Sequence, residues 1–264
     1  NGELRGSGWN KDGQLGTGDK RNVSTFIAIA RPLFKARVIQ VACGWSHTLA
    51  ISAEHNALFG WGSNAYGQLG QSIGGAKSVT VPIAVASMRD VVDIACGMRH
   101  SIAVNKAGTC YGWGSNRHGQ CGVEPTRIAI HSPTPMPLTN IVCHTVVAVS
   151  AGANHTTIVL ADGQVMCCGC NRYGQCGCAN VDNCEKAKQQ VWPLKAVDLR
   201  HKVRRVFCGW THTIVSKMMS FVAIFLLKYT TDCQLLLFVE TKKPHTRAIT
   251  RIHTHTHTHT HTHT

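Results

Sequence analysis

Two short signatures alternate four times along this chain, and no other feature constrains its fold as strongly. The first is Asn-x-x-Gly-Gln-(Leu or Cys)-Gly, and its four copies end at Gly16, Gly70, Gly122 and Gly177. The second is Val-x-x-Val-x-Cys-Gly-x-x-His-Thr or a close variant, and its histidines are His47, His100, His155 and His212. These histidines are separated by 53, 55 and 57 residues. Two signatures repeated in a fixed order predict a fold made of copies of one unit.

The residues around the signatures have the pattern of short β-strands. Residues 38–42 and 48–51 alternate or run apolar over strand lengths, with glycine between the two runs. Asp162-Gly163 separates two more apolar runs, as the turn of a tight hairpin does. A repeat of about fifty residues made of short strands has the size of one four-stranded propeller blade. The sequence therefore predicts an all-β, partial β-propeller of about four blades in residues 1–217.

The predicted propeller has half a blade at each end. Asn1-Gly2 occupies the turn position that Asp162-Gly163 fills in a later repeat, and the repeat pattern stops after residues 213–217. One alternative is that these two halves pair and close a four-bladed ring. Otherwise the ring stays open and exposes the edges of its blades, which can pair with other strands.

Residues 218–264 differ in composition from the repeats and are predicted to lie outside the propeller. Residues 218–239 are apolar without a period, and residues 253–264 are a strict alternation of His and Thr. Low-complexity tracts of this kind need no fold, so we expect a disordered tail or translated non-coding sequence. The apolar run of residues 220–227 is too short to cross a membrane before Lys228, so no membrane span is predicted.

The chain is basic, and the excess charge lies mostly in the repeats. The net charge is +14, of which residues 218–264 contribute only +3. Basic proteins favour acidic partners such as nucleic acid, chromatin, anionic lipid or the acidic face of another protein. The densest basic stretch predicts a binding site for an acidic partner; its residues are Lys186, Lys188, Lys195, Arg200, Lys202, Arg204 and Arg205. The alternative is that these side chains only solvate a loop and an edge strand.

The repeated histidines and glycines are predicted to serve the fold and not a reaction. A site needs side chains that converge, whereas each histidine belongs to a different blade. We expect each ring to bond a neighbouring backbone group and to fix a loop. The motif glycines are expected to adopt positive φ in a turn; they are Gly13, Gly67, Gly119 and Gly174. No Ser-His-Asp or paired-carboxylate pattern stands out, so no catalytic residue, cofactor site or covalent chemistry is predicted.

The thirteen cysteines indicate a chain with reduced thiols. The first residues contain no apolar signal segment, so the cytoplasm, and also the nucleus, are the expected compartments. Cys43, Cys96 and Cys208 occupy one repeat position and are expected to be small buried apolar residues. Cys121 and Cys176 replace the leucine of other repeats, which predicts a packing role. The remaining cluster lacks the pairing that zinc sites use, so no metal is predicted; it comprises Cys167, Cys168, Cys170, Cys176, Cys178 and Cys184.

The strings Gly-Trp-Gly-x-Asn-x-x-Gly-Gln-Leu-Gly and Cys-Gly-x-x-His-Thr resemble the repeat of the regulator of chromosome condensation family over about residues 2–216. The resemblance implies a seven-bladed ring, of which this chain would supply about four blades. Residues 9–16 and 41–45 are most similar to members that act as guanine nucleotide exchange factors in secretion. The resemblance therefore implies interaction with a small GTPase or another protein.

Two family features test how far the resemblance extends. In the founding member, a wedge-like insertion in one blade carries exchange activity, but the four stretches between the signatures here are similar in length. In a light-sensing plant member, tryptophans in Gly-Trp-x-His-Thr strings form the sensor by clustering on adjacent blades. Trp45 and Trp210 occupy such strings three blades apart, so we expect them to be separated and photoreception to be absent.

Overall fold

The computed structural model describes residues 4–29, 37–138, 143–178 and 190–217, together with the backbone of residues 238–243 and 246–251. The chain divides into two compact units, Asn1–Met218 and Met219–Thr264. Every regular secondary-structure element within the described residues is a β-strand. Accordingly, the described part of the chain contains no helix with the length and apolar character needed to cross a membrane.

Within its described residues, the first unit contains three four-stranded antiparallel sheets, each of which is one propeller blade. Blade 1 is β3 (Val38–Cys43), β4 (His47–Ser52), β5 (Leu58–Ser63) and β6 (Ser78–Ala84). Blade 2 is β7 (Val91–Cys96), β8 (His100–Asn105), β9 (Cys110–Ser115) and β10 (Ala129–Pro135). Blade 3 is β11 (Val146–Ala151), β12 (His155–Leu160), β13 (Val165–Cys170) and β14 (Gln190–Ala196). The strands of each blade are paired in chain order.

Two half blades accompany the three complete ones. β1 (Arg5–Gly8) pairs with β2 (Val23–Ala28), and β15 (Val203–Cys208) pairs with β16 (Thr213–Lys217). The prediction of an all-β partial propeller is confirmed. The alternative of a closed four-bladed ring is wrong, because β1 and β16 belong to separate two-stranded sheets.

The second unit contains one described hairpin. β17 (Phe238–Lys243) pairs antiparallel with β18 (Thr246–Arg251). The apolar run at residues 220–227 and the His-Thr tract lie outside the described residues.

The blades of the first unit are held together by apolar side chains between neighbouring sheets. The first strand of each blade contacts the first strand of the next blade, so β3, β7, β11 and β15 lie innermost. The middle strands are buried between blades, and β4 and β5 are buried along their whole length. One shared core contains Leu49 and Leu58 of blade 1 with Ile94 and Trp113 of blade 2. Because each blade covers its neighbour, no blade buries its apolar faces alone.

Antiparallel pairing divides the loops of the propeller between two faces. The motif face carries the loops between the first and second strands of each blade and the loops between the third and fourth strands; in the described residues these are 9–22, 44–46, 64–77, 97–99, 116–128, 152–154, 171–178 and 209–212. The hairpin face carries the turns between the second and third strands and the connections between blades; in the described residues these are 4, 29, 37, 53–57, 85–90, 106–109, 136–138, 143–145, 161–164 and 197–202. Both sequence signatures therefore lie on the motif face.

The motif glycines adopt the predicted backbone conformation, with φ between 76° and 78° at all four positions. Gly67 shows why no other residue fits. A Cβ on Gly67 would lie 2.7 Å from the Cα of His131 in the fourth strand of the next blade. The glycine thus permits both a left-handed turn and close contact between blades.

Candidate interaction surface

The side chains of the first signature close the loops of the motif face on themselves. In blade 1, Asn64 Oδ1 accepts a hydrogen bond from the Leu69 amide at 2.9 Å, and Gln68 Oε1 accepts one from the Tyr66 amide at 2.9 Å. The equivalent Asn and Gln residues of the other copies make the same bonds. Each loop is therefore fixed by its own amides before it meets any partner.

The second signature links each blade to the next through a buried histidine. His100 Nε2 lies 3.0 Å from the hydroxyl of Thr156 in blade 3, and that hydroxyl donates to the Gln120 carbonyl of blade 2 at 2.7 Å. The same relay joins His47 to Ser101 and Gln68, and His155 to Thr213 and Gln175. Since the hydroxyl proton goes to the carbonyl, each histidine must donate from Nε2. The two signatures are thus parts of one hydrogen-bonded unit.

The three histidines of these relays, His47, His100 and His155, are fully buried and are here called the buried histidines. Burial lowers the pKa of His47 and of His155 to about 4. Burial, aided by the charges of the two neighbouring buried histidines, lowers the pKa of His100 to about 3. Their Nδ1 atoms have no hydrogen-bond partner among the residues that the structure describes, which also favours the neutral ring. At neutral pH these rings are uncharged structural donors.

The structural role predicted for these histidines agrees with this geometry, and the His47 and His100 rings do interact with the backbone of the next buried histidine, as expected. The hydroxyl partners were not predicted. The Nε2 atoms bond hydroxyl groups of the next blade. The fourth histidine, His212, is exposed in the half blade of β15 and β16.

The cysteines follow two different patterns. Cys121 and Cys176 are buried among apolar neighbours, as their replacement of leucine predicted. The expectation of burial is wrong for Cys43, which is exposed, and only partly right for Cys96 and Cys208, which are half-buried. The reason is position: all three lie where the innermost strands reach the motif face. Cys184 of the predicted cluster lies outside the described residues, within which no group of three potential metal ligands was found.

The predicted basic stretch is spread over several elements. Lys195 is exposed on β14, the outermost strand of blade 3, and Arg204 and Arg205 are exposed on β15. Arg200 and Lys202 line a cavity of about 450 Å³ on the hairpin face, together with Asp162 and Asp198. Lys186 and Lys188 lie outside the described residues. The structure therefore brings Arg200 and Lys202 together but mixes them with two carboxylates.

The motif face carries a second set of basic residues that sequence reasoning missed. Its described loops contain eight Lys or Arg residues and three Asp or Glu, whereas those of the hairpin face contain five and four. The guanidinium carbon of Arg99 lies 4.9 Å from the centre of the Tyr66 ring, and Arg99 also donates to the Tyr66 hydroxyl. Arg172 lies similarly over Tyr173. The missed signal was the variable pair inside Asn-x-x-Gly-Gln, which reads Arg117-His118 and Arg172-Tyr173 in two copies.

A pocket opens on the motif face where the innermost loops of four sheets meet. It has a volume of about 340 Å³, and its lining includes Trp45, Met98, Ala153 and Trp210; we call it the mouth pocket. Its wall is fixed by backbone hydrogen bonds from the Met98 amide to the Ala153 carbonyl and from the Ala153 amide to the Trp210 carbonyl. The pocket is thus formed by backbone whose geometry the fold determines.

Trp45 and Trp210 contact each other across the mouth pocket. Their ring centres are 5.3 Å apart, and the ring planes are tilted by 57°. The expectation that these rings are separated was wrong, because the innermost loops converge on the axis even when their blades are not adjacent. Both side chains remain about half exposed, at 57% and 52%. Exposed tryptophans at a concave site are common at protein interfaces.

Several known proteins are similar in sequence to this chain. It is 33% identical over 223 residues to the mouse secretion-regulating guanine nucleotide exchange factor, covering 81% of the chain and 46% of that protein. It is 33% identical over 210 residues to human HERC6, a probable E3 ubiquitin-protein ligase, covering 78% of the chain and 20% of that protein. It is 33% identical over 217 residues to the ultraviolet-B receptor UVR8 of Arabidopsis thaliana, covering 81% and 46%. The chain thus spans less than half of the length of these relatives.

Solved structures share the fold. Human WBSCR16 superposes with a TM-score of 0.72 at 26% identity, covering 83% of this chain and 54% of that one. Prp20p of Saccharomyces cerevisiae, studied for its binding to Gsp1p and histones, superposes with a TM-score of 0.67 at 21% identity, covering 96% and 59%. The profile of the RCC1-like domain matches residues 1–224. Because that match includes every blade and half blade described above, the chain belongs to the family of proteins with an RCC1-like domain.

Proposed function

We propose that this chain is a protein-interaction propeller that regulates a small GTPase in the manner of a guanine nucleotide exchange factor. The observation that carries this proposal is the 33% identity to the mouse secretion-regulating exchange factor over 223 residues. An exchange factor binds the nucleotide-free GTPase more tightly than the loaded one, and the population shifts towards nucleotide release. This action needs binding surfaces but no covalent chemistry, and we expect none.

Two features of the chain suit this function. The loops of the motif face are closed by their own hydrogen bonds, so a partner meets a surface that is already ordered. The eleven cysteines of the described residues are free thiols, which suits a reducing compartment, and we propose a cytoplasmic location with the nucleus as a second one.

The chain matches only one fifth of the length of HERC6, so we do not extend the ligase activity in the name of that relative to this chain.

The test is a release assay with small GTPases of the Ras, Rho, Rab, Arf and Ran groups, each loaded with a fluorescent GDP. We expect this chain to accelerate release from one of them and to retain that GTPase best when it is nucleotide-free. Binding that is equal in the nucleotide-free, GDP and GTP states would contradict the proposal, and so would the absence of acceleration across all five groups.

A chromatin or nucleic-acid scaffold is the second candidate, because the chain has a net charge of +14. In this case the basic stretch would contact phosphates, and affinity would fall steeply with salt, by about a hundredfold between 50 and 200 mM for about four contacts. Replacing Lys195, Arg200, Lys202, Arg204 and Arg205 by glutamine should then flatten the salt dependence. Small-GTPase binding would instead follow the nucleotide state. We also propose that residues 218–264 take no part in either activity.

A further inference from the structure

We propose that the mouth pocket is a docking site for an acidic peptide segment of a partner protein, which inserts one apolar side chain between Trp45 and Met98 while its carboxylates meet arginines of the motif face. The site does not depend on exchange activity, because its probes are peptides and its readout is binding. Three features of the molecule support this site: the pocket, the charge of its face and the arrangement of its aromatic rings.

The pocket fits one side chain of a peptide. Its volume of about 340 Å³ is at the lower end of the range of ligand pockets, and its side-chain lining is apolar or weakly polar, including Trp45, Met98, Cys96 and Trp210. Interfaces commonly bury a single apolar anchor in such a pocket, and tryptophan is among the residues that contribute most to binding. The hydrogen-bonded loops of the wall are already in place, so little ordering is needed on binding.

The charge of the surrounding loops selects an acidic partner. The described loops of the motif face have a net charge of +5, from eight basic and three acidic residues, whereas those of the hairpin face have +1, from five and four. Arg99, Arg117 and Arg172 are exposed and form no ion pair within the described part of the chain. Two of these guanidinium groups lie over tyrosine rings, which orients them and leaves N–H groups for carboxylates.

The aromatic rings favour a peptide over a nucleic acid strand. Proteins that bind single strands offer open ring faces on which successive bases stack. The ring centres of Trp45 and Trp210 are instead 5.3 Å apart and the ring planes are tilted by 57°, so a base cannot stack in parallel between the two rings. A cationic ligand, which could otherwise use an aromatic pair, is disfavoured by the positive loops around it. An apolar side chain flanked by carboxylates fits both the pocket and the positive charge of the motif face.

The experiment measures fluorescence anisotropy of labelled peptides with the 264-residue chain at neutral pH and about 0.1 M salt. The probes are a short polyglutamate peptide with one central leucine, the same peptide with serine in place of leucine, and a polylysine version with the leucine. We expect the glutamate–leucine peptide to bind best, the serine peptide to bind about tenfold more weakly, and the lysine peptide not to bind.

Two pairs of variants separate the site from general charge and from folding. The double variant Trp45→Ala/Trp210→Ala should lose about tenfold in affinity, while Phe26→Ala, which removes an exposed ring from β2, should change it less than about twofold. The triple variant Arg99→Gln/Arg117→Gln/Arg172→Gln should lose about fivefold to tenfold. The triple variant Arg89→Gln/Arg200→Gln/Lys202→Gln removes the same charge from the hairpin face and should leave affinity within about twofold.

Each other outcome overturns the proposal. Equal losses in the two triple variants would show attraction by net charge alone. Equal binding of the leucine and serine peptides would show that the pocket takes no anchor. A thymidine oligonucleotide that binds more tightly than the peptide, and whose binding is lost in the tryptophan variant, would assign the pocket to nucleic acid. Since the substituted side chains are exposed, the melting temperature of each variant should equal that of the unsubstituted chain. If the tryptophan variant or the arginine variant of the motif face melts at a much lower temperature, the other of the two decides the test.

Discussion

The hydrogen-bond relay between blades makes Thr156 the hydroxyl whose removal should cost most. Thr156→Val keeps the shape of the side chain but removes an acceptor from His100 Nε2 and a donor from the Gln120 carbonyl. Both groups are buried, and among the described residues the Gln120 carbonyl otherwise has only a long contact of 3.8 Å from the Cys168 thiol. Each buried group left without a partner costs about 1–3 kcal/mol, so for the two groups we expect a loss of about 2–6 kcal/mol. That is a large share of the 5–15 kcal/mol typical of a folded domain.

Thr48 provides the matched control, because it holds the same repeat position with a different environment. Its hydroxyl donates to the Gln14 carbonyl at 2.9 Å, but no histidine of the described residues donates to it. The Gln14 carbonyl also accepts from Trp61 Nε1 at 2.9 Å, so Thr48→Val leaves it satisfied. We therefore expect this variant to lose about 1 kcal/mol or less.

The assay is equilibrium urea unfolding of the full chain in a reducing buffer at neutral pH, followed by tryptophan fluorescence. The free energies of unfolding are comparable only if the three proteins share one m-value. A loss for Thr156→Val that does not exceed the loss for Thr48→Val would refute the view that the histidine relay joins the blades.

Three further predictions concern the same framework. The buried histidines have pKa values of about 3–4 in the folded chain and about 6.5 in the unfolded chain, so the unfolded chain binds more protons between these pH values. The free energy of unfolding should therefore fall as the pH drops below 6.5, by about 2 kcal/mol per histidine at pH 5. Urea unfolding at a series of acid pH values would detect this loss. Asp93 accepts hydrogen bonds from Gln40 of blade 1 and from the Val149 amide of blade 3, so Asp93→Ala should lower the melting temperature by several degrees, and an unchanged melting curve would contradict this role. Gly67→Ala should destabilise more than Gly74→Ala, since both residues have positive φ but only a Cβ at Gly67 would meet backbone atoms; thermal unfolding of the two variants would decide.

The architecture could be predicted from the sequence because it depends on features that repeat. The signatures give the number of blades, and their glycines give the turns, since only glycine tolerates positive φ beside a neighbouring backbone. The pattern of apolar residues gives strands that are buried on both sides, as β4 and β5 are. Each of these inferences uses contacts within one blade or between adjacent blades, and such contacts recur at a constant spacing along the chain.

The candidate site could not be predicted because it depends on features that do not repeat. The tryptophans of the mouth pocket occur in only two of the four copies, and their contact depends on how loops of non-adjacent blades converge on the axis. Counting positive residues along the chain also favoured the stretch that ends at Arg205. Antiparallel pairing instead places residues distant in sequence, such as Arg99 and Arg172, on one face.

One further relation was present in the sequence but needed the structure to be recognised. Trp61 and Trp113 donate to the carbonyls of Gln14 and Gln68 in the preceding loops, and the equivalent position in blade 3 is Cys168. The contact between blades 2 and 3 therefore has a thiol where the other two contacts have an indole N–H donor. It depends more on the Thr156 hydroxyl than the other contacts depend on their hydroxyl groups. The cysteine at this position thus changes which residue carries the contact between blades 2 and 3. Cys168→Trp should make Thr156→Val less costly in the same unfolding assay, because the indole restores a second donor to the Gln120 carbonyl.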